Sequence, residues 1–386
     1  MDLTFSEKEK KFRFEAANWL KAHVPKEPLP SGDTCEGFGM HLEWEKMLFD
    51  SGYAAVSWPV EYGGRGASLI EWLIFEEEYY LAGAPSRVTQ NGLFLLAPTL
   101  FEFGTKEQKE RLLKPIAAAE TLWAQAWSEP GAGSDLASVR SKAVPCEGGF
   151  LLSGQKTWCT RGAFCDAVFG LFRTDPNAKR HRGLTYFMVP LDGEGVTVKG
   201  VDRLDGDEGF ADVFFDEVFV PEDDIIGKVN EGWKVAMATT STERGLSLRS
   251  PGRFMSTASK LLDLYKSLSD KIDPSLRSKV IESYINAEAY RYYTFQTVAK
   301  MQRGKSIGAE SSLNKIFWSE MDVQNHETAL EILSHKAELT HGASKSVDDG
   351  AWMKAYQFSL AGPIYAGTNE IQRNVIAERV LSLPKK

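Results

Sequence analysis

The hydrophobic period of this chain changes twice, and no other feature constrains its fold as much. Up to about residue 120, apolar residues recur at helical spacing. "TFSEKEKKFRFEAANWLKAHV" offers Thr4 and Ser6 as N-caps and sets Phe12, Ala16, Trp19 and Leu20 near the helical period. "GFGMHLEWEKMLFDSGY" and "SLIEWLIFEEEYYLAGA" continue the pattern, separated by the loop "SWPVEYGGRGAS". "TKEQKERLLKPIAAAE" adds a helix with Thr105 as its cap. From about Thr121 the period becomes two. "GFLLSGQKTWCT", "AVFGLFRT", "GLTYFMVPL", "VTVKGVDRL" and "ADVFFDEVFVP" read as strands with no helices between them, the mark of an antiparallel barrel or sandwich. After "EDDIIGKVNEGW" the helical period returns and lasts to the end. The expected fold is mainly α with a central β-domain. Its parts are an N-terminal helical domain (1–120), an antiparallel β-barrel or sandwich (121–228) and a C-terminal helical bundle (229–386).

Composition excludes several function classes. A net charge of −8 with no long basic run argues against nucleic acid as the partner. No apolar run approaches membrane-spanning length, and the N-terminus is charged from the start. Cys35, Cys146, Cys159 and Cys165 show no ligand-like pairing, which suits a reducing cytoplasm. No histidine belongs to a metal-binding constellation, so no metal is expected.

"WSEPGAGSD", from Trp127 to Asp135, stands where the helical pattern hands over to the strands. Gly131 and Gly133 permit close backbone approach to a phosphate or a polar ring edge. No G-K-[ST] follows, so it is not a P-loop, and no strand–turn–helix unit makes it a dinucleotide fingerprint. Taken alone, such a turn is more often structural than functional.

Its company decides the matter. "SEPGAGSDLAS", then "GQKTWCT", "FFDEVFVPEDDIIG" and "YAGTNEIQRNVIAERVL", with "WPVEYGGRG" near the start, resemble the acyl-CoA dehydrogenase family over essentially the whole chain. The resemblance implies FAD bound non-covalently. Trp127 and Ser128 would lie along the isoalloxazine ring beside Gly133, with Trp158 and Thr160 covering it from the β-domain. Ser134 would reach both cofactor and acyl-CoA, and Thr368 and Glu370 would lie near the cofactor. Glu370 replaces the Gln of some relatives, so an amide donor is lost there. Cys159 reads as a small packed residue.

The reaction implied is oxidation of an acyl-CoA to its trans-2-enoyl form, with electrons passed to electron-transfer flavoprotein. A carboxylate must remove the α-proton. In medium-chain relatives it is the Glu of a Y-E-G-T motif, whereas this chain reads Tyr365-Ala366-Gly367-Thr368. The isovaleryl and long-chain branches place their base before an arginine at the start of the third segment, where this chain has Glu243 and Arg244. On a helix Glu243 shares a face with Ala236, Thr239, Thr240, Leu246 and Ser247, none of them charged. By resemblance Arg244 would contact the thioester end of CoA, and Tyr365 and Ala366 the acyl group.

Two family elements are missing. No Arg-x-x-Phe-Gly motif occurs in "GRFMSTASKLLDLYKSLSDKID", and no Gln-x-x-Gly-Gly near "EILSHKAELTHGAS". Such losses resemble the bacterial branch that acts on bulky or steroid-type acyl-CoAs, in which two unlike chains form an α2β2 tetramer. A homo-oligomer, a flavin oxidase of the same fold and a non-catalytic supporting subunit remain open readings at this point.

Overall fold

The computed structural model describes residues 4–243, 250–268, 273–305 and 308–384; of residues 241–243 it describes the backbone alone. The helices are α1 (Glu7–His23), α2 (Cys35–Asp50), α3 (Leu69–Leu81), α4 (Ala97–Phe103), α5 (Lys106–Ala117), α6 (Gly232–Glu243), α7 (Pro251–Leu268), α8 (Leu276–Gln302), α9 (Ser311–Leu333), α10 (Ala351–Ser359) and α11 (Asn369–Val375). The strands are β1 (Trp123–Ala126), β2 (Lys142–Cys146), β3 (Gly149–Thr160), β4 (Ala167–Arg173), β5 (Leu184–Pro190), β6 (Val196–Val201), β7 (Phe210–Pro221) and β8 (Ile225–Ile226). Helices thus precede and follow a β-domain, as the change of period requires.

These elements form two compact units, one of residues 1–24, 68–84 and 244–386, the other of 25–67 and 85–243. In the first, α1 opens with Ser6 in a reciprocal capping box with Glu9 and buries Phe12, Ala16 and Leu20. Trp19 is half-buried and stacks on His23 instead. Glu77 of α3 is buried and ties three helices together, taking Arg13 of α1 at 2.7 Å and Arg291 of α8 at 2.5 Å. Helix α7 crosses α3 so closely that a Cβ on Gly252 would meet the Glu76 carbonyl oxygen at 2.6 Å. Its core joins Phe254, Ala287, Tyr290 and Trp318.

The second unit holds the sheet, in the order β6-β7-β3-β2-β4-β5-β8, with β1 paired to β4. Most pairs are antiparallel, while β1 and one residue of β2 run parallel to β4. Phe150, Leu152, Phe172, Phe187, Val213 and Phe215 form its core. Thr105 caps α5, as read from the sequence, and the cap is a reciprocal box with Gln108. Gln108 of that helix is buried and donates to the Asp223 and Ile225 carbonyls, both at 2.8 Å, which fixes α5 against the β7–β8 corner.

Candidate functional site

Strand β1 delivers Trp127 into the second unit, where it is buried with its ring edge-on to Tyr186 at 6.1 Å. Its indole Nε1 is buried and has no hydrogen-bond partner among the described residues. The chain then turns tightly, with Glu129 and Ala132 exchanging two backbone hydrogen bonds of 3.0 Å. Gly131 within that turn and Gly133 and Ser134 just beyond it are exposed. A Cβ added at Gly131 or Gly133 would meet nothing within 4 Å, and neither glycine has a positive φ. Among the described residues nothing crowds these positions, which leaves the backbone open to close approach by a ligand.

The other half of the site is an irregularity in β3. Its register with β7 shifts between Lys156 and Cys159, a bulge that turns Trp158 outward. Trp158 has φ 59° and is 60% exposed, a large apolar surface left open, braced edge-on by Phe210 at 5.7 Å. Cys159 points the other way into the core, and burial pushes its thiol up to about 12. Thr160 is half-buried, and its carbonyl accepts from the Asn91 side-chain amide at 3.3 Å. The two stretches are stitched together: Thr157 N–H donates to the Ser128 carbonyl at 2.9 Å.

A residue that sequence reasoning passed over makes the stronger stitch. Lys156 is fully buried and donates to Glu129 Oε1 at 2.8 Å, the Leu171 carbonyl at 2.7 Å and the Trp127 carbonyl at 3.4 Å. Glu129 also accepts the backbone N–H groups of Arg140 (2.7 Å) and Ser141 (2.9 Å). Burial raises the Glu129 pKa, but Lys156 and these hydrogen bonds outweigh it and hold the carboxyl below its ordinary value. The signal was available: each of the two quoted motifs carries one of these opposite charges beside its aromatic residue.

Helix α6 runs beside this site. Ala236, Thr239 and Thr240 are buried, as the shared-face argument requires. Thr239 Oγ1 shares a hydrogen bond with Thr99 at 2.8 Å and with the Tyr186 hydroxyl at 3.3 Å. Tyr186 thus links the Trp127 ring to the helix that ends at Glu243, one turn after Thr239. The Glu243 side chain and the whole of Arg244, Leu246 and Ser247 lie outside the described residues.

The remaining sequence candidates belong to the first unit. Ala366 and Gly367 take positive φ (56° and 79°), and the Gln372 side-chain amide donates to both carbonyls, at 3.2 and 3.1 Å. Thr368 is the N-cap of α11, its hydroxyl accepting from Ile371 N–H at 3.2 Å. Tyr365 stacks on Trp318 at 5.9 Å, and Glu370 is exposed, 3.8 Å from Arg373. Asn369, also missed, is buried and accepts from Lys315 at 2.7 Å.

These features suit a flavin: an outward indole on a bulge, an unpartnered buried indole N–H and a glycine turn open to close approach. Among the described residues no cluster of His, Cys, Asp and Glu suits a metal, and no helix is long and apolar enough to cross a membrane. Thiol chemistry separates packing from reactivity here. Ellman's reagent at pH 8 is expected to titrate the exposed Cys35 and Cys146 first in the folded protein, the partly buried Cys165 more slowly, and Cys159 only after unfolding. Fast reaction of all four thiols in the folded protein would contradict the packed position of Cys159.

Comparison with known proteins agrees along the chain. Residues 6–120 match the acyl-CoA dehydrogenase N-terminal domain, 124–218 its middle domain and 230–381 its C-terminal domain. The acyl-CoA dehydrogenase IpdE1 of Mycolicibacterium smegmatis is 35% identical over 395 residues, covering 97% of this chain and 98% of IpdE1. Among solved structures, the Tcur3481–Tcur3483 steroid ACAD superposes with a TM-score of 0.90 at 26% identity, covering 100% of both chains. The ChsE4–ChsE5 complex from Mycobacterium tuberculosis gives 0.86 at 27% identity, again over 100% of both chains. With every domain matched in order, this chain belongs to the acyl-CoA dehydrogenase family of FAD-dependent oxidoreductases, with steroid-type bacterial enzymes among its relatives.

Proposed function

We propose that this chain oxidises a bulky acyl-CoA thioester to its trans-2-enoyl-CoA, with Glu243 as the base that removes the α-proton. The observation that carries the reading is the path from Trp127 through Tyr186 to Thr239, which brings the helix ending at Glu243 beside the proposed flavin cradle. Ala366 supports the same reading, since the position that holds a carboxylate in medium-chain relatives has none here.

By the family resemblance, Trp127, Ser128, Gly133, Ser134, Trp158, Thr160, Thr368 and Glu370 would hold FAD. FAD, when bound, supplies the two-electron acceptor for the β-hydrogen. The chain's own task is to accept the α-proton on the Glu243 carboxylate. Arg244 and Ser134 would orient the CoA thioester, and Tyr365 and Ala366 would bound the acyl group. Alanine at 366 leaves room for a branched or cyclic chain.

Electrons would leave through electron-transfer flavoprotein. Anaerobic addition of a panel of acyl-CoAs tests the reaction, because productive substrates bleach the flavin absorbance. No bleaching by any branched, cyclic or steroid-type acyl-CoA would overturn the reading, and rapid reoxidation by oxygen would select an oxidase.

Assembly follows the same logic. An FAD pyrophosphate carries two negative charges, and an arginine is among its stronger partners. This chain lacks the Arg-x-x-Phe-Gly element with which a neighbouring subunit would supply that contact, and the Gln-x-x-Gly-Gly element that would surround the adenosine half. An α2β2 tetramer with a second, unlike acyl-CoA dehydrogenase chain would restore them. The expected result is low flavin occupancy for the chain expressed alone, and about one FAD per heterodimer on co-expression. A fully flavinylated, active homo-oligomer would remove the need for a partner.

A further inference from the structure

Asp33 lies far from the flavin motifs in sequence, yet it anchors the limb that carries Trp158 and Thr160. Its carboxylate is buried, and each oxygen takes one arginine: Oδ1 accepts from Arg161 Nε at 2.6 Å and Oδ2 from an Arg203 terminal nitrogen at 2.6 Å. Both arginines bear directly on the limb. Arg161 follows Thr160 immediately and sits in the left-handed region, φ 56°, where a long side chain is uncommon. Its N–H donates to the Gly209 carbonyl at 3.0 Å. The Arg203 guanidinium lies 5.8 Å from the Phe210 ring centre, and Phe210 is the ring braced edge-on against Trp158.

Two non-glycine residues with positive φ, Trp158 and Arg161, fall within four positions of one strand end. Such conformations persist only where the surroundings over-determine them. Here the surroundings are the Asp33 pair. Arg203 is in turn gripped by Asp205 (2.8 and 3.0 Å) and Asp207 (3.3 Å), and Ser31 closes the loop on Asp207 at 2.5 Å. A Cβ at Gly209 would meet the Arg203 guanidinium at 1.9 Å, so a side chain there would have to displace it.

We infer that Asp33 is a positioning residue for the cofactor site, holding the Trp158 ring through Arg203 and Phe210 and the Thr160 backbone through Arg161. The inference rests on the reading that Trp158 and Thr160 contact the flavin. Asp33 touches no reacting atom, and it acts by setting where two contacting residues stand.

Coupling separates this role from a merely structural one, since residues in one network give non-additive effects. FAD affinity is measured by titrating flavin-depleted full-length protein, in the assembly in which it purifies. Asp33→Asn is expected to weaken FAD binding about tenfold, the size of one lost charge-assisted hydrogen bond. It should also shift the visible spectrum of the bound flavin. In a Trp158→Ala/Thr160→Ala background the same change should cost less than about twofold. Phe210→Leu, which alters no charge, should behave likewise and decides the matter if Asp33→Asn does not fold. Equal losses in both backgrounds, with an unshifted spectrum, would overturn the positioning role. Unchanged FAD affinity in Trp158→Ala/Thr160→Ala itself would instead overturn the site reading, and the inference with it.

Discussion

Glu243→Gln is expected to leave FAD bound and to slow flavin reduction by acyl-CoA about 100- to 10,000-fold, the usual range for loss of a general base. Glutamine keeps the length of the side chain and cannot accept the proton. The measurement is the single-turnover bleaching rate under anaerobic conditions, with the visible spectrum as a check that the cofactor remains. An unchanged rate would remove Glu243 from the mechanism. Ala366→Glu is the informative companion, because it restores a carboxylate where medium-chain relatives carry theirs. In the Glu243→Gln protein it is expected to return part of the rate for small acyl-CoAs and none for bulky ones. Rescue that ignores substrate size would argue against Ala366 as part of the acyl boundary.

The second large effect belongs to the buried pair of Lys156 and Glu129. Lys156→Met removes one partner and strands the other, which for buried pairs costs about 3–5 kcal/mol. Because the pair joins the Trp127 and Trp158 stretches, flavin should be lost together with stability. Thermal melting and flavin content, measured on one preparation, check both. The pH dependence has a definite sign. Glu129 has a folded pKa below its ordinary value, so its contribution is fully present above the unfolded carboxylate pKa of about 4.3 and is lost as pH falls through the folded value. The stability gap between wild type and Glu129→Gln should therefore be widest near neutrality and shrink on acidification below about pH 4. A gap that is constant from neutral to acid pH would show that Glu129 is not held as a carboxylate.

What the sequence alone determined was whatever shows itself as a period or as a motif. Strand β3 was legible from Gly149 to Thr160, and β7 nearly to its ends, because one face of each meets the core and the other does not. The capped helices α1 and α5 were legible for the same kind of reason, a cap followed by an amphipathic stripe. The family resemblance came from separated motifs in a fixed order, in which packed residues such as Lys156 and Cys159 stand beside open ones such as Trp158.

Where packing closes around an element on every side, the period vanishes and only the tertiary structure speaks. Residues Gly92–Leu96 and the helix α4 after them were not read, since Gly92 to Ala97, Thr99 and Leu100 are all buried and no face stands out. Strand β1 was missed likewise, four mostly buried residues paired in parallel. Nor does any local pattern announce that α1 and α3 join α7 to α11 in one compact unit, while α2 and α4 to α6 join the sheet. That choice depends on which distant apolar faces fit each other. The bulge at Trp158 and the Asp33 link, 128 residues from Arg161 in sequence, are decisions of the same kind. A side chain's partner across such a distance is fixed by the packing of the whole unit, and no window of sequence contains it.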